Sequence, residues 1–314
     1  MRIPEYTDLA EKEAAFGDHY KRIDSIEELK DFLSLDKVLN DNIFRGVCEA
    51  KYKNFTSAQR MYMVNDLWQT ASIEGLIQKQ IESMLTEYDN LLGDYYDSLN
   101  IAPNDFLYLG ISQHFGGVSP LLDFTHNLNT ALFFMTDGAI FPPQGVDDIG
   151  NYSSLYYANC NMFNNFNELL KQIASKVQDK INKMAKNNDL SVEIKDNIIT
   201  FLARFENYKS FDMKVVIPND NEIIRIPING KDIGLSGTFS ISNLNIVAQQ
   251  GCFVFYLPTA PLLSLETPLC CIDIHKSLVP YIKEYIKLKK SDIYPNEYEF
   301  VKDSYIKALR NILN

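Results

Sequence analysis

The sequence predicts an α+β fold, with helices packed on a mixed or antiparallel sheet. Three observations predict it. Short apolar strand patterns alternate with helical ones at irregular spacing, which argues against a regular doubly wound sheet. No internal repeat and no low-complexity linker interrupts the 314 residues. A chain of that length buries a large core as one domain or two modest ones.

Residues 1–37 read as a helical lead-in and 38–314 as the main domain. Asp24-Ser25-Ile26-Glu27-Glu28-Leu29 marks a helix start, because Ser25 caps the first turn and Glu28 stands three residues on, as a capping box requires. That helix should run to about Leu35. Val38 to Val47 reads as a strand, with Leu39, Ile43 and Val47 apolar and Gly46 allowing a turn or a close backbone approach. From Ser57 to about Leu99 apolar residues recur at three and four spacing, giving two or three helices. Phe106 to Gln113 is a buried helix, and Leu128 to Met135 is apolar on nearly every side. Ser154 to Ala158 is a central strand. A polar, Lys- and Asn-rich helical insertion is expected from about Phe163 to Tyr208. Strands follow at Lys214 to Ile217, Ile223 to Ile228 and Cys252 to Leu257, and helices at Val279 to Leu288 and Tyr298 to Leu313.

Thirty Lys and Arg against forty-one Asp and Glu leave a net charge of -11, which repels polyanions. Nucleic-acid binding is therefore the least favoured class. No signal pattern opens the chain, and no apolar run approaches the roughly 18 to 20 residues a bilayer demands, so a cytoplasmic protein with no membrane association is expected. The five cysteines are scattered with no C-x-x-C pair, which argues against a disulfide framework and a zinc site. No metal site is expected.

Three segments carry residues suited to chemistry. Arg45 beside Gly46 is what a site uses to grip phosphate, since the planar guanidinium bonds bidentately and glycine leaves room; pairing with a core-edge carboxylate is the plain alternative. Gln113 and His114 precede a Gly-Gly bend that presents them to a pocket. His114 is suited to acid or base work near neutral pH, or to satisfying buried backbone. Asp123 is flanked by Leu121, Leu122 and Phe124, and a carboxylate among such neighbours needs a partner such as Arg45 or a ligand. Thr125 and Asn127 stand where they cap the following helix, an end that also receives phosphate. Gln249 and Gln250 precede an apolar strand, placed to orient a ligand or to satisfy loop backbone.

Together these segments resemble the FRG domain, a bacterial family named for its F/Y-R-G tripeptide. The resemblance rests on Phe44-Arg45-Gly46, Ser57-Ala58-Gln59-Arg60, Gln113-His114-Phe115-Gly116, Leu121-Leu122-Asp123-Phe124-Thr125, Asn127, Ala131-Leu132-Phe133-Phe134, Ala248-Gln249-Gln250-Gly251-Cys252-Phe253 and Ile293-Tyr294-Pro295. It spans roughly residues 22–305 in order and separation. Where the family usually has Thr-Arg-Leu-Leu-Asp, this chain has Ser119-Pro120-Leu121-Leu122-Asp123, so a common arginine is missing.

The family's layout is similar to that of ADP-ribosyltransferases of the arginine-serine-glutamate type, which implies a split sheet and NAD as substrate. By that resemblance Arg45 holds NAD phosphate, Thr125 supports the nicotinamide ribose and Phe133 packs beneath it. Gly46, Gln113, Asn127 and Gln249 complete the binding set, with Asp123, Gln250 and His114 as the catalytic candidates. Such enzymes keep a glutamate on the late strand where this chain has Gln249 and Gln250. The implied function is an ADP-ribosyltransferase or NAD glycohydrolase in defence or toxin biology, with a protein acceptor in the first case. The alternative is a non-catalytic module that senses a nucleotide or binds a protein.

Overall fold

In the computed structural model the described residues are 2–34, 41–87, 105–114, 116–140, 148–159, 163–165, 214–216, 236–239, 246, 248–256 and 260–294. Their helices are α1 (Leu9–Phe16), α2 (Ile26–Ser34), α3 (Ser57–Val64), α4 (Ile73–Glu87), α5 (Asp105–His114), α6 (Leu128–Thr136), α7 (Val279–Ile286) and α8 (Lys290–Ile293). Their strands are β1 (Tyr20–Ile23), β2 (Asn42–Val47), β3 (Leu121–Thr125), β4 (Tyr152–Asn159), β5 (Phe163–Asn165), β6 (Lys214–Val216), β7 (Ser236–Phe239), β8 (Gly251–Tyr256) and β9 (Cys270–His275). They form one mixed sheet in the order β1-β9-β4-β2-β3-β8-β7-β6-β5, in which β1 and β9 run parallel and the other neighbours antiparallel. β2 and β3, the fourth and fifth strands of that order, border the site.

Side chains alternate across the strands, so each strand feeds two cores. Ile43, Leu122, Phe124, Tyr156 and Cys271 join Leu9 and Phe16 of α1 on one face. Phe44, Leu155 and Ile272 join α2, α6 and α7 on the other. Ser25 and Glu28 do form the expected reciprocal cap of α2, with the Glu28 amide donating to Ser25 Oγ at 3.2 Å and the Ser25 amide to Glu28 Oε2 at 3.1 Å.

The expected helices at Phe106, Leu128 and Val279 and the strands at Ser154, Lys214 and Cys252 are present within a residue or two of their predicted ends; the helical stretch from Ser57 forms two α-helices, Ser57–Val64 and Ile73–Glu87, and residues 88–99 of it lie outside the described residues. The insertion does not begin as a helix, because Phe163–Asn165 pairs with Lys214–Val216 and extends the sheet. The rest of that insertion, Val38 to Asn40, Ile223 to Ile228 and Tyr298 to Leu313 lie outside the described residues. β1, β7 and β9 were not anticipated. In β9, Ile272 and Ile274 face one core while Asp273 sits in the apolar run on the other side, which hides the alternation.

That Asp273 is completely buried, as is its partner Lys12 of α1, at 2.7 Å. Lys12 Nζ also donates to Ser154 Oγ at 2.6 Å and to the Ala50 carbonyl at 2.8 Å, and the Tyr20 hydroxyl donates to Asp273 Oδ2 at 3.0 Å. Every strong donor and acceptor of the pair is thus engaged, the condition under which burying two charges is tolerated.

The N-terminal segment is tied down electrostatically. Thr7 donates to Glu11 Oε2 from its amide at 2.7 Å and its hydroxyl at 2.9 Å, and Lys53 Nζ donates to Glu11 Oε1 at 2.9 Å. These bonds, the Thr7 amide first, hold the Glu11 carboxyl down to about 2 from an ordinary 4.5. A pKa lowered by folding means stabilisation present above about 4.5 that fades as pH falls toward 2. An NMR titration of the Glu11 carboxyl is expected to give a midpoint near 2, with Thr7 amide protection fading over the same window. A midpoint at the ordinary 4.5 would contradict this bonding.

Candidate functional site

β2 and β3 meet at one pair only, Phe44 opposite Thr125. Continuing that register would set Gly46 against Asp123, but the strands part instead. Two local causes are visible. An added Cβ on Gly46 would lie 1.8 Å from the Ala131 carbonyl oxygen and 2.6 Å from the Met135 nitrogen, so the end of β2 lies directly on the α6 backbone. Meanwhile the Tyr256 amide bonds the Pro120 carbonyl, so alternate residues of β3 turn their backbone toward β8 and the others, Asp123 among them, toward β2. The Asp123 carbonyl therefore lacks a strand partner, and Arg45 Nη1 supplies one at 2.8 Å. The guanidinium fills the gap in the sheet.

A cleft of about 730 Å³ opens at this split. It is within the usual range for small-molecule sites, roughly 300–1,000 Å³. Of the predicted residues, Arg45, Gly46, Gln113, Asp123, Thr125 and Gln249 line it. Arg45 is mostly buried, its side chain 15% exposed, whereas the Asp123 side chain is 47% exposed and faces the opening. The two approach to 4.0 Å, Arg45 Nη1 to Asp123 Oδ2. Burial lowers the Arg45 pKa, and Asp123 opposes that shift. Gln113 Nε2 donates to Asp123 Oδ2 at 2.8 Å, fixing the carboxylate, and no described residue bonds Oδ1. Ser57 Oγ lies 3.3 Å from Gln113 Oε1, so α3 supports α5 from behind.

Thr125 lines the cleft, yet its hydroxyl is committed. It donates to the Gln249 carbonyl at 2.6 Å and accepts from the Asn127 amide at 2.9 Å. Its part is to pin the loop before β8 onto β3. The Gln249 amide is also engaged, donating to the Ile293 carbonyl at 3.1 Å. Gln250 sits exposed in a left-handed turn, φ 47°, and does not line the cleft. Asn127 is the N-cap of α6, accepting from the Asn129 and Thr130 amides at 2.9 and 3.3 Å, and it too lies off the cleft. Phe133 turns into the core, because adjacent residues on a helix point about 100° apart; its neighbour Phe134 faces the cleft instead. Phe134 meets Tyr294 edge-on at 6.1 Å. His114 ends α5, and its side chain lies outside the described residues.

Residue-by-residue inspection of the sequence missed Arg60, Asn54, Phe134 and Tyr294, all of which line the cleft. Arg60 and Tyr294 stand inside short motifs that carry the FRG resemblance, a signal that pointed to them without giving them a role. Asn54 carries none. It is 2% exposed and accepts from Arg45 Nε at 3.3 Å, while its own Nδ2 has no partner among the described residues. A buried amide without an acceptor is costly, and it lies beside the one guanidinium that bridges the split.

Residues 40–140 match the FRG domain family model. That span contains the Phe44-Arg45-Gly46, Ser57 to Arg60, Gln113 to Gly116 and Leu121 to Phe134 segments, and ends before Gln249 and Tyr294. It is shorter than the roughly 22–305 over which the motifs extend. No curated protein and no solved structure matches the chain. No helix among the described residues is long and apolar enough to cross a membrane.

Proposed function

We propose that this FRG-domain cleft binds NAD or a closely related nucleotide and cleaves the bond between nicotinamide and ribose, passing ADP-ribose to water or to a protein acceptor. The observation that carries this reading is the placement of Arg45, Asp123 and the Phe134–Tyr294 ring pair around one cleft at a split in the sheet. Arg45 offers fork donors to phosphate. Phe134 and Tyr294 offer apolar surface to a ring. Asp123, held by Gln113, presents a carboxylate oxygen to a ribose hydroxyl. The same carboxylate would face the cationic ribose carbon as the C1′–N bond breaks, its electron pair leaving with nicotinamide, and would take the proton of the attacking water. The resemblance of the motif order to that of the ADP-ribosyltransferases, which bind NAD at a split sheet, supports the reading.

A specific observation favours a second reading, nucleotide binding without turnover. The late strand, Gly251–Tyr256, has no acidic residue, and the Gln249 amide is already bonded to Ile293. The two readings part at Asp123. Wild-type protein incubated with NAD is expected to release nicotinamide, and Asp123→Asn to lower that rate by about 10²–10³-fold, the usual loss for one electrostatic stabiliser, with NAD binding retained. Binding without nicotinamide release supports the second reading. No binding at all overturns both.

A further inference from the structure

We infer that Arg60 is a second phosphate grip beside Arg45, and that the cleft selects ligands carrying two linked phosphates over those carrying one. This deepens the nucleotide reading and rests on it. Arg60 reaches the same cleft from α3. A guanidinium has five N–H donors in a fixed fork. Arg45 spends Nε on Asn54 and Nη1 on the Asp123 carbonyl, and no described residue accepts from Nη2. Arg60 spends Nε and Nη2 on a single acceptor, the Phe55 carbonyl at 3.0 and 2.8 Å, and no described residue accepts from Nη1.

The charge around these forks is unbalanced. No carboxylate of the described residues makes an ion pair with Arg60. Lys53 is engaged by Glu11, and Glu5 lies within ion-pair reach of Arg2 and Lys51, so Asp123 faces both arginines. Desolvation and, after it, the neighbouring Arg45 lower the Arg60 pKa, while Asp123 raises it, which places the three in one electrostatic neighbourhood. Asn54, whose buried Nδ2 has no partner among the described residues, lies at the same wall. Each fork is pinned to a different backbone carbonyl, one on β3 and one ahead of α3. Neither is free to swing onto a phosphate held by the other, and two linked phosphates satisfy both.

Calorimetric titration of the full chain with AMP and with ADP tests this. ADP is expected to bind at least about tenfold more tightly than AMP, a difference of about 1.4 kcal/mol. Arg60→Gln should bring ADP down to the AMP level and leave AMP nearly unchanged. Arg60→Lys, which keeps the charge and a donor for Phe55, should fall between the two, and it stands in if the glutamine variant fails to fold. Equal AMP and ADP affinities in the wild type overturn the inference while the nucleotide reading stands, as does an equal loss on both ligands in the Arg60 variants. If neither nucleotide binds, the reading beneath it fails too.

Discussion

Gly46→Ala is expected to cost about 3 kcal/mol or more, at the upper end of what overpacking does, and to abolish ligand binding with it. The reason is where the methyl group would go. At 1.8 Å from the Ala131 carbonyl oxygen and 2.6 Å from the Met135 nitrogen it strikes helix backbone, which cannot rotate aside, so α6 or β2 must shift as a unit. The cleft is built on that contact. α6 carries Phe134, and β2 carries Arg45 one residue away. Gly251→Ala is the natural comparison, because its nearest neighbour, at 3.3 Å, is the Cδ1 end of the Ile246 side chain, which can yield. Urea denaturation of both variants checks the claim. If Gly46→Ala is no worse than Gly251→Ala, the close approach of β2 and α6 is wrong.

Asp273→Ala is expected to cost about 3–5 kcal/mol, the range for removing one partner of a buried ion pair. Lys12 would be left fully buried with only Ser154 and the Ala50 carbonyl to hold its charge. The tie joins α1 to β9 and β4, so its loss should free the N-terminal layer first. Replacing both charges, Lys12→Met with Asp273→Leu, should restore much of the loss, since a buried pair exchanged for apolar volume is often neutral. Chemical denaturation of the three proteins measures this. A single-variant cost below about 1 kcal/mol would mean that water reaches Lys12 after all.

The two core layers were largely legible because periodicity reports burial. Ser25 and Glu28 marked a helix start, and the apolar run from Leu128 marked α6 as buried on most sides. β9 was not legible, since Asp273 interrupts its apolar run and its burial depends on Lys12, 261 residues away in sequence. A lysine in the acidic, Ala-rich segment of α1 reads as a solvated face from sequence alone.

Part of the cleft was legible for a similar reason. Arg45 beside glycine and Asp123 among apolar residues each break the local pattern, and they prove to share one gap in the sheet. The near misses follow from details that spacing does not encode. The choice between Phe133 and Phe134 turns on the rotation of α6. The Thr125 hydroxyl is taken by the Gln249 carbonyl, a contact formed across 124 residues. Arg60 was visible only as one member of a motif, because an arginine on an amphipathic helix ordinarily faces solvent.

The claim at the centre is that Arg45 and Asp123 act on one nucleotide at the split between β2 and β3. Titration of NAD into the wild type and Asp123→Asn, with nicotinamide release followed in the same samples, tests it most directly. One bound NAD per chain, released as nicotinamide by the wild type and retained intact by Asp123→Asn, is the predicted result. Absence of any NAD binding, or unchanged nicotinamide release in Asp123→Asn, would contradict it.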